Sequence, residues 1–154
     1  MNVEPMQTAE GSDYPYCRQL SIFVENRVGQ LLRIMRLLED EPIRILGLSA
    51  DASVDCAILR LLVDDPDLAR QILTDARFAV SECEILVVPL PTGKRGILSV
   101  FSALIAAEVN INYVYSAWAT IEREPCLAIQ VDDLQHAIPT LRGEKFRVLD
   151  QSDL

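Results

Sequence analysis

Lysine is almost missing from this 154-residue chain. Lys94 and Lys145 are the only two, and with the arginines they make 14 basic residues against 23 acidic ones, a formal net charge of −9. Phosphate backbones and anionic lipid surfaces need clustered basic side chains. Neither nucleic acid nor membrane is therefore expected as a partner. Histidine is rarer still: His136 is alone, in a segment that reads as the outer face of a helix. No nucleophile–base pairing can be assembled around it, so no catalytic residue is assigned and no enzyme is expected. The four cysteines, Cys17, Cys56, Cys83 and Cys126, lie too far apart in sequence for a zinc knuckle or a redox CxxC. They read as small buried apolar residues in strands, and no metal or cofactor is expected. The longest strongly apolar uncharged run, 96–107, is too short to span a bilayer. The opening residues Met1 to Pro5 show no basic region and no apolar core. The expected location is cytoplasmic.

What is present is a half-apolar chain, enough to build a core without disulfides or metals. Residues 1–16 are polar and aperiodic and read as a loose arm. From Arg18 the pattern sharpens. Leu20, Ile22 and Val24 alternate with polar residues as in a strand, and Leu31, Ile34, Met35 and Leu38 recur at helical spacing. Residues 43–50 and 56–63 read as a hairpin across a polar 51–55 turn. Asp65-Pro66 looks like an N-cap followed by proline at the first helical position. Leu68, Ile72, Leu73 and Ala76 line that helix, and 78–83 reads as a closing strand. The order β-α-β-β-α-β then repeats. Strand 84–90, turn 92–96, helix 97–107, strands 111–119 and 126–131, a helix after Asp132-Asp133 and a last strand 146–149 follow. Gly96 matches Gly29, and Pro139 should shorten or kink the last helix. The fold class is therefore α+β, two ferredoxin-like βαββαβ units. Their exposed edge strands 43–50 and 111–119 should meet, giving one continuous sheet with all helices on one side.

The stretch from Gln19 to Leu31 resembles the opening of an ACT domain: an apolar strand, Asn26, two residues, Gly29, one residue, Leu31, then a helix. The turn Thr92, Gly93, Lys94, Arg95, Gly96, Ile97 is similar, with one extra residue and without the Asn. Ile111 to Ser116 resembles the second strand of units in small stand-alone tandem-ACT proteins. The resemblance spans about 19–149 and implies an ACT domain at 17–83 and another at 84–150. It also implies regulatory binding of an amino acid at their junction. Small subunits of acetolactate synthase share the first unit's look but carry a different second half. A regulatory subunit that contacts an amino-acid biosynthetic enzyme, without a ligand of its own, is the alternative function.

The physical case for a site starts from the helix following the first turn. Its N-terminus offers unpaired N–H groups and partial positive charge to a carboxylate. The expected ligand residues are Asn26, Arg27, Val28, Gly29, Gln30 and Leu31, with Val114, Tyr115 and Ser116 from the other unit. Asn26 would meet an amino group or cap the helix, and Tyr115 and Ser116 would supply hydroxyls. A weaker second site is expected at Thr92, Gly93, Lys94, Arg95, Gly96 and Ile97, near Ile45, Leu46 and Gly47. Two other motifs fail. Val88 and Arg95 break the phosphate-loop pattern around Lys94, and Asp64, Asp65 and Asp67 lack calcium-loop spacing. Helix 97–107 carries no charge. Its large residues (Ile97, Leu98, Val100, Phe101, Leu104, Ile105) should cover one side. The small ones (Ser99, Ser102, Ala103, Ala106, Ala107) should cover the other and lie buried in a homodimer.

Overall fold

The computed structural model describes residues 16–119 and 123–154. The proposed arm at 1–16 thus lies almost wholly outside the described residues. The order is β1 (Cys17–Glu25), α1 (Gln30–Glu39), β2 (Ile45–Ala52), β3 (Cys56–Val63), α2 (Pro66–Asp75), β4 (Ala79–Pro89), α3 (Gly96–Ala106), β5 (Ile111–Trp118), β6 (Pro125–Val131) and α4 (Leu134–Gly143), then a short 3-10 turn at Gln151–Asp153.

The repeat extends to single hydrogen bonds. Asp65 Oδ1 accepts from the Leu68 N–H and caps α2, and Asp133 Oδ1 accepts from the His136 N–H and caps α4, both at 3.0 Å. The preceding aspartates also match: Asp64 accepts from the backbone of Arg44 at 2.8 Å, and Asp132 from that of Asn110 at 3.0 Å. After each of these helices the chain turns through a left-handed residue, Arg77 and Lys145. The next N–H then returns to the helix, Phe78 to Leu73 at 3.0 Å and Phe146 to Leu141 at 2.9 Å. Pro139 neither shortens nor ends α4, which runs ten residues like α1 and α2.

Three expectations about the strands need correction. Residues 78–83 and 84–90 do not form two strands; β4 runs unbroken from Ala79 to Pro89. It pairs with β1 up to Ile85 and with β6 from Leu86 onward. Nothing at Cys83-Glu84 breaks an extended chain, because that run holds no glycine or proline. The last strand, expected at 146–149, shrinks to a single bridge, Val87 to Leu149. The sheet is also not open. β4 is shared at one side, and β2 meets β5 at the other through one registered pair, Gly47 opposite Ala117. With both edges joined, the strands close into a barrel in the order β1-β3-β2-β5-β6-β4. Closure removes the edges that two separate sheets would leave unpaired.

Closure gives three cores. Leu20, Ile22, Leu59 and Leu61 face outward onto Ile34 and Leu38 of α1 and Ala69 and Leu73 of α2. Leu86, Val88 and Ile129 do the same for Val100 and Leu104 of α3 and Ile138 and Leu141 of α4. The alternate strand residues, among them Cys17, Leu62, Ile85, Val87, Ala117, Cys126 and Ala128, fill the barrel. The sheet face that an open arrangement would leave wet is thus buried against itself. Each fully buried Leu or Ile contributes roughly 1.5–3 kcal/mol.

Two of the four cysteines, Cys17 and Cys126, are buried as expected; Cys83 is half-buried and Cys56 is exposed, and all four are free thiols. Cys56 sits at the first position of β3, its thiol 3.2 Å from Ser53 Oγ.

Candidate functional site

The turn after β1 is held by its own unit. The Asn26 side chain donates from Nδ2 to the Ser53 carbonyl at 2.7 Å, and the Asn26 N–H reaches the Asp55 carbonyl at 3.1 Å. Asn26 therefore anchors the turn to the β2–β3 hairpin and does not cap the helix. Arg27 pairs with Glu25 at 2.6 Å. Val28 is fully exposed. Gly29 takes φ +89°, a left-handed conformation that disfavours any side chain, and the space above it is open.

Under this turn lies a cleft of about 170 Å³. Its walls are mostly apolar, from Val24, Ile34, Ala50, Ala57 and Leu59, and its rim carries Glu25, Asn26, Arg27 and Gln30. The size is below the roughly 300–1,000 Å³ typical of pockets for drug-sized ligands. Two features stand out. No side chain caps α1, whereas α2 and α4 are capped by aspartates. In addition, Gln30 Oε1 is buried with no hydrogen-bond partner, the one such side-chain atom among the described residues. A buried acceptor left unsatisfied costs about 1–3 kcal/mol, so each such atom calls for an explanation.

Tyr115 is not at this cleft. It points into the barrel, where its hydroxyl donates to Gln19 Oε1 at 2.8 Å. Gln19 Nε2 in turn donates to the Tyr113 hydroxyl at 2.8 Å and lies 3.4 Å from Cys83 Sγ. The two tyrosine rings stack at 6.5 Å, and the Arg60 guanidinium sits 4.1 Å above that of Tyr113. Burial pushes the Tyr115 phenol and the Cys83 thiol up, so both stay protonated near neutrality. The reason for the misplacement is closure: the face of β5 assigned to a ligand became barrel interior. Val114 and Ser116 are exposed, on the opposite face of β5. Neither Val114 nor Ser116 is among the residues that line the cleft.

The second turn differs. Its left-handed residue is Gly93, φ +101°, and the residue before α3 is Arg95, so Gly96 is already helical and does not match Gly29. A Cβ on Gly96 would stand 2.3 Å from the Pro91 carbonyl oxygen. Gly96 is thus required by packing. Thr92, Lys94, Arg95 and Ile97 are exposed, and α3, like α1, has no side-chain cap.

A larger opening was not foreseen. Arg44 just before β2, Leu46 in it, Trp118 at the end of β5, Ala119 just after it, and Arg123 line a cleft of about 730 Å³ where the two units meet. Its only sequence signal is the lone tryptophan close to an arginine.

His136 is exposed on α4. Among the described residues no group of three or more His, Cys, Asp or Glu side chains is placed to hold a metal ion. No helix among them is long and apolar enough to cross a membrane.

Similarity to known proteins is consistent with this architecture. A family described as the ACT domain pair matches residues 16–154. The crystal structure of protein BT0572 from Bacteroides thetaiotaomicron is similar at 31% identity and TM-score 0.81, covering 90% of this chain and 94% of that one. The regulatory subunit of aspartate kinase from Thermus thermophilus, in its ligand-free form, has TM-score 0.55 at 14% identity, covering 85% and 93%. That from Thermus flavus has TM-score 0.51 at 10% identity, covering 85% and 93%. At such identities these two show the fold alone. No curated protein matches the chain. The doubled βαββαβ order, the matched caps and the family match over nearly all described residues lead to one conclusion: the chain belongs to the ACT domain pair family.

Proposed function

We propose that this protein is a non-catalytic regulator that binds a small amino acid in the cleft beneath the β1–α1 turn. The observation that carries the reading is the buried, unpartnered Gln30 Oε1 in that cleft. An ammonium group supplies the donor this atom lacks. The uncapped α1 N-terminus beside it suits the carboxylate of the same ligand. The apolar walls suit a short aliphatic side chain. The ligand residues are Asn26, Arg27, Gly29, Gln30 and Leu31 of the first unit, with Tyr115 excluded. The turn at residues 92–97 is the weaker counterpart, because Lys94 and Arg95 leave an ammonium without a partner. The units divide at 17–83 and 84–150, within β4.

A thermal-shift series across the twenty amino acids tests this. A ligand at 100 times its dissociation constant adds about 2.7 kcal/mol of stability. Gln30→Leu should then weaken the best ligand ten-fold or more, since a hydrogen bond to a charged group contributes about 1.5–3 kcal/mol. The ligand-free variant should be as stable as the parent or more so, because an orphaned polar atom has been removed. Unchanged affinity in Gln30→Leu, or no stabilisation by any amino acid, overturns the reading. Co-purification with a biosynthetic enzyme without any ligand response would favour the interaction-subunit reading.

The homodimer through helix 97–107 also belongs here. In α3 the exposed residues include Ile97, Leu98 and Ile105, 47%, 60% and 67% exposed, while Ala103 is half-buried. The face for a second copy is this exposed row, where Leu98 and Ile105 stand with the small residues Ser99, Ser102 and Ala106.

A further inference from the structure

The cleft at the seam between β2 and β5 lies apart from the β1–α1 turn and is unlike it. It is larger, and its charged groups are both cationic. Its geometry follows from Gly47. A Cβ there would meet Tyr115 Cε2 at 2.9 Å and the Ala117 Cβ at 3.1 Å, so the two strands approach closely at their one registered pair. On the side of Ile45, β2 carries an irregularity in its pairing with β3, and its pairing with β5 has no registered pair beyond Gly47 and Ala117. Leu46 and Ala119, both from the barrel interior, form the floor of the opening. Trp118 stands beside them, 57% exposed.

Arg44 and Arg123 flank this floor. Two carboxylates among the described residues stand near them in sequence or by hydrogen bond. Asp64 accepts from the backbone N–H of Arg44, and Glu124 accepts from Arg147 at 2.8 Å. Among the described residues neither the Arg44 nor the Arg123 guanidinium has an ion-pair partner. In a chain of net charge −9, two arginines without an ion-pair partner among the described residues, lining one cleft beside an exposed indole, form a specific chemical arrangement. Guanidinium forks match the planar oxygens of carboxylate and phosphate. An indole face and an apolar floor hold a flat ring.

We propose that this seam cleft is a second ligand site, for a small anion carrying a flat conjugated ring. Its carboxylate or phosphate lies between Arg44 and Arg123 and its ring against Trp118. The site draws on both units and is independent of the amino-acid site. It would report a different class of metabolite on the same molecule.

Trp118 is the only tryptophan in the chain, so its fluorescence reads the site directly. Benzoate and adenosine 5′-monophosphate, titrated separately, distinguish a carboxylate from a phosphate. Saturable quenching is expected from at least one, and neutral adenosine should bind at least ten-fold more weakly than the monophosphate if the phosphate is the anchor. Affinity should fall as salt rises. The exposed double substitution Arg44→Gln/Arg123→Gln should weaken the responding probe ten-fold or more. The same variant should keep its melting temperature and its response to the amino acid. Absence of saturable quenching by both probes, or unchanged affinity in the double variant, overturns the proposal and leaves the amino-acid reading untouched.

Discussion

Gln19 shows how one residue ties the two units together. Among the described residues it is the only buried polar side chain, and it reaches across from β1 to Tyr113 and Tyr115 of β5. Three polar groups are satisfied at once, and each depends on the others. Replacing Gln19 with Leu should leave two phenol hydroxyls without this partner. With a penalty of about 1–3 kcal/mol for each buried unsatisfied group, the loss should reach about 2 kcal/mol or more. For a domain of this size that lowers the melting temperature by roughly 4–8 °C. Differential scanning calorimetry decides it, and an unchanged transition would show that the hydroxyls find water instead. Neither this role nor the inward direction of Tyr115 was legible in the sequence, because alternation marks two faces of a strand without saying which is enclosed. Asn26 does not cap α1: its amide donates to the Ser53 carbonyl, 27 residues away, a partner that no local pattern names.

At the scale of elements, the strands and helices were legible, and so were the aspartate caps of α2 and α4. Local signals suffice there: period-2 or period-3.6 apolar patterns, and Asp before the first helical turn. The seam between β2 and β5 is another matter. It rests on one registered pair and on a glycine whose replacement has no room. Gly47→Ala places a methyl group within 2.9 Å of the buried Tyr115 ring. Overpacking of this kind typically costs about 1–3 kcal/mol. Urea unfolding should show a lower midpoint, and hydrogen exchange should quicken first in β2 and β5. Loss confined to β1 and β4 would refute that placement of the weak seam.

At the scale of the molecule, closure concentrates titratable groups in a dry interior. Burial pushes the Cys126 thiol up to about 11 and raises the Cys17 thiol and Tyr115 phenol further. The folded state holds these protons where the unfolded chain releases them, from about pH 8.5 for thiols and about 10 for phenols. Stability from this source is fully present below pH 8.5 and is lost as pH rises. Urea midpoints measured from pH 7.5 to 10.5 should fall steadily, and Cys17→Ala should flatten the slope. A flat profile in the parent protein would mean that the thiols are not enclosed. The exposed α3 row belongs to the same scale. If it joins two copies, Leu98→Glu/Ile105→Glu should convert a dimer to monomers in light scattering, and an unchanged mass in a dimeric parent would assign the interface elsewhere.

The sequence by itself determined the order of the elements, their doubling, the helix caps and the glycine at the first turn. Each is encoded within a few residues, by periodicity, by a side chain that reaches its own backbone, or by a φ that disfavours a Cβ. Only the tertiary structure decided that β4 is one strand serving both units and that the sheet closes. Closure then sent Tyr113 and Tyr115 inward and opened a cleft between Arg44 and Arg123. These depend on pairing between residues as far apart as Gly47 and Ala117. No local pattern specifies such pairing, because an apolar alternation is equally satisfied by an open sheet and by a closed one.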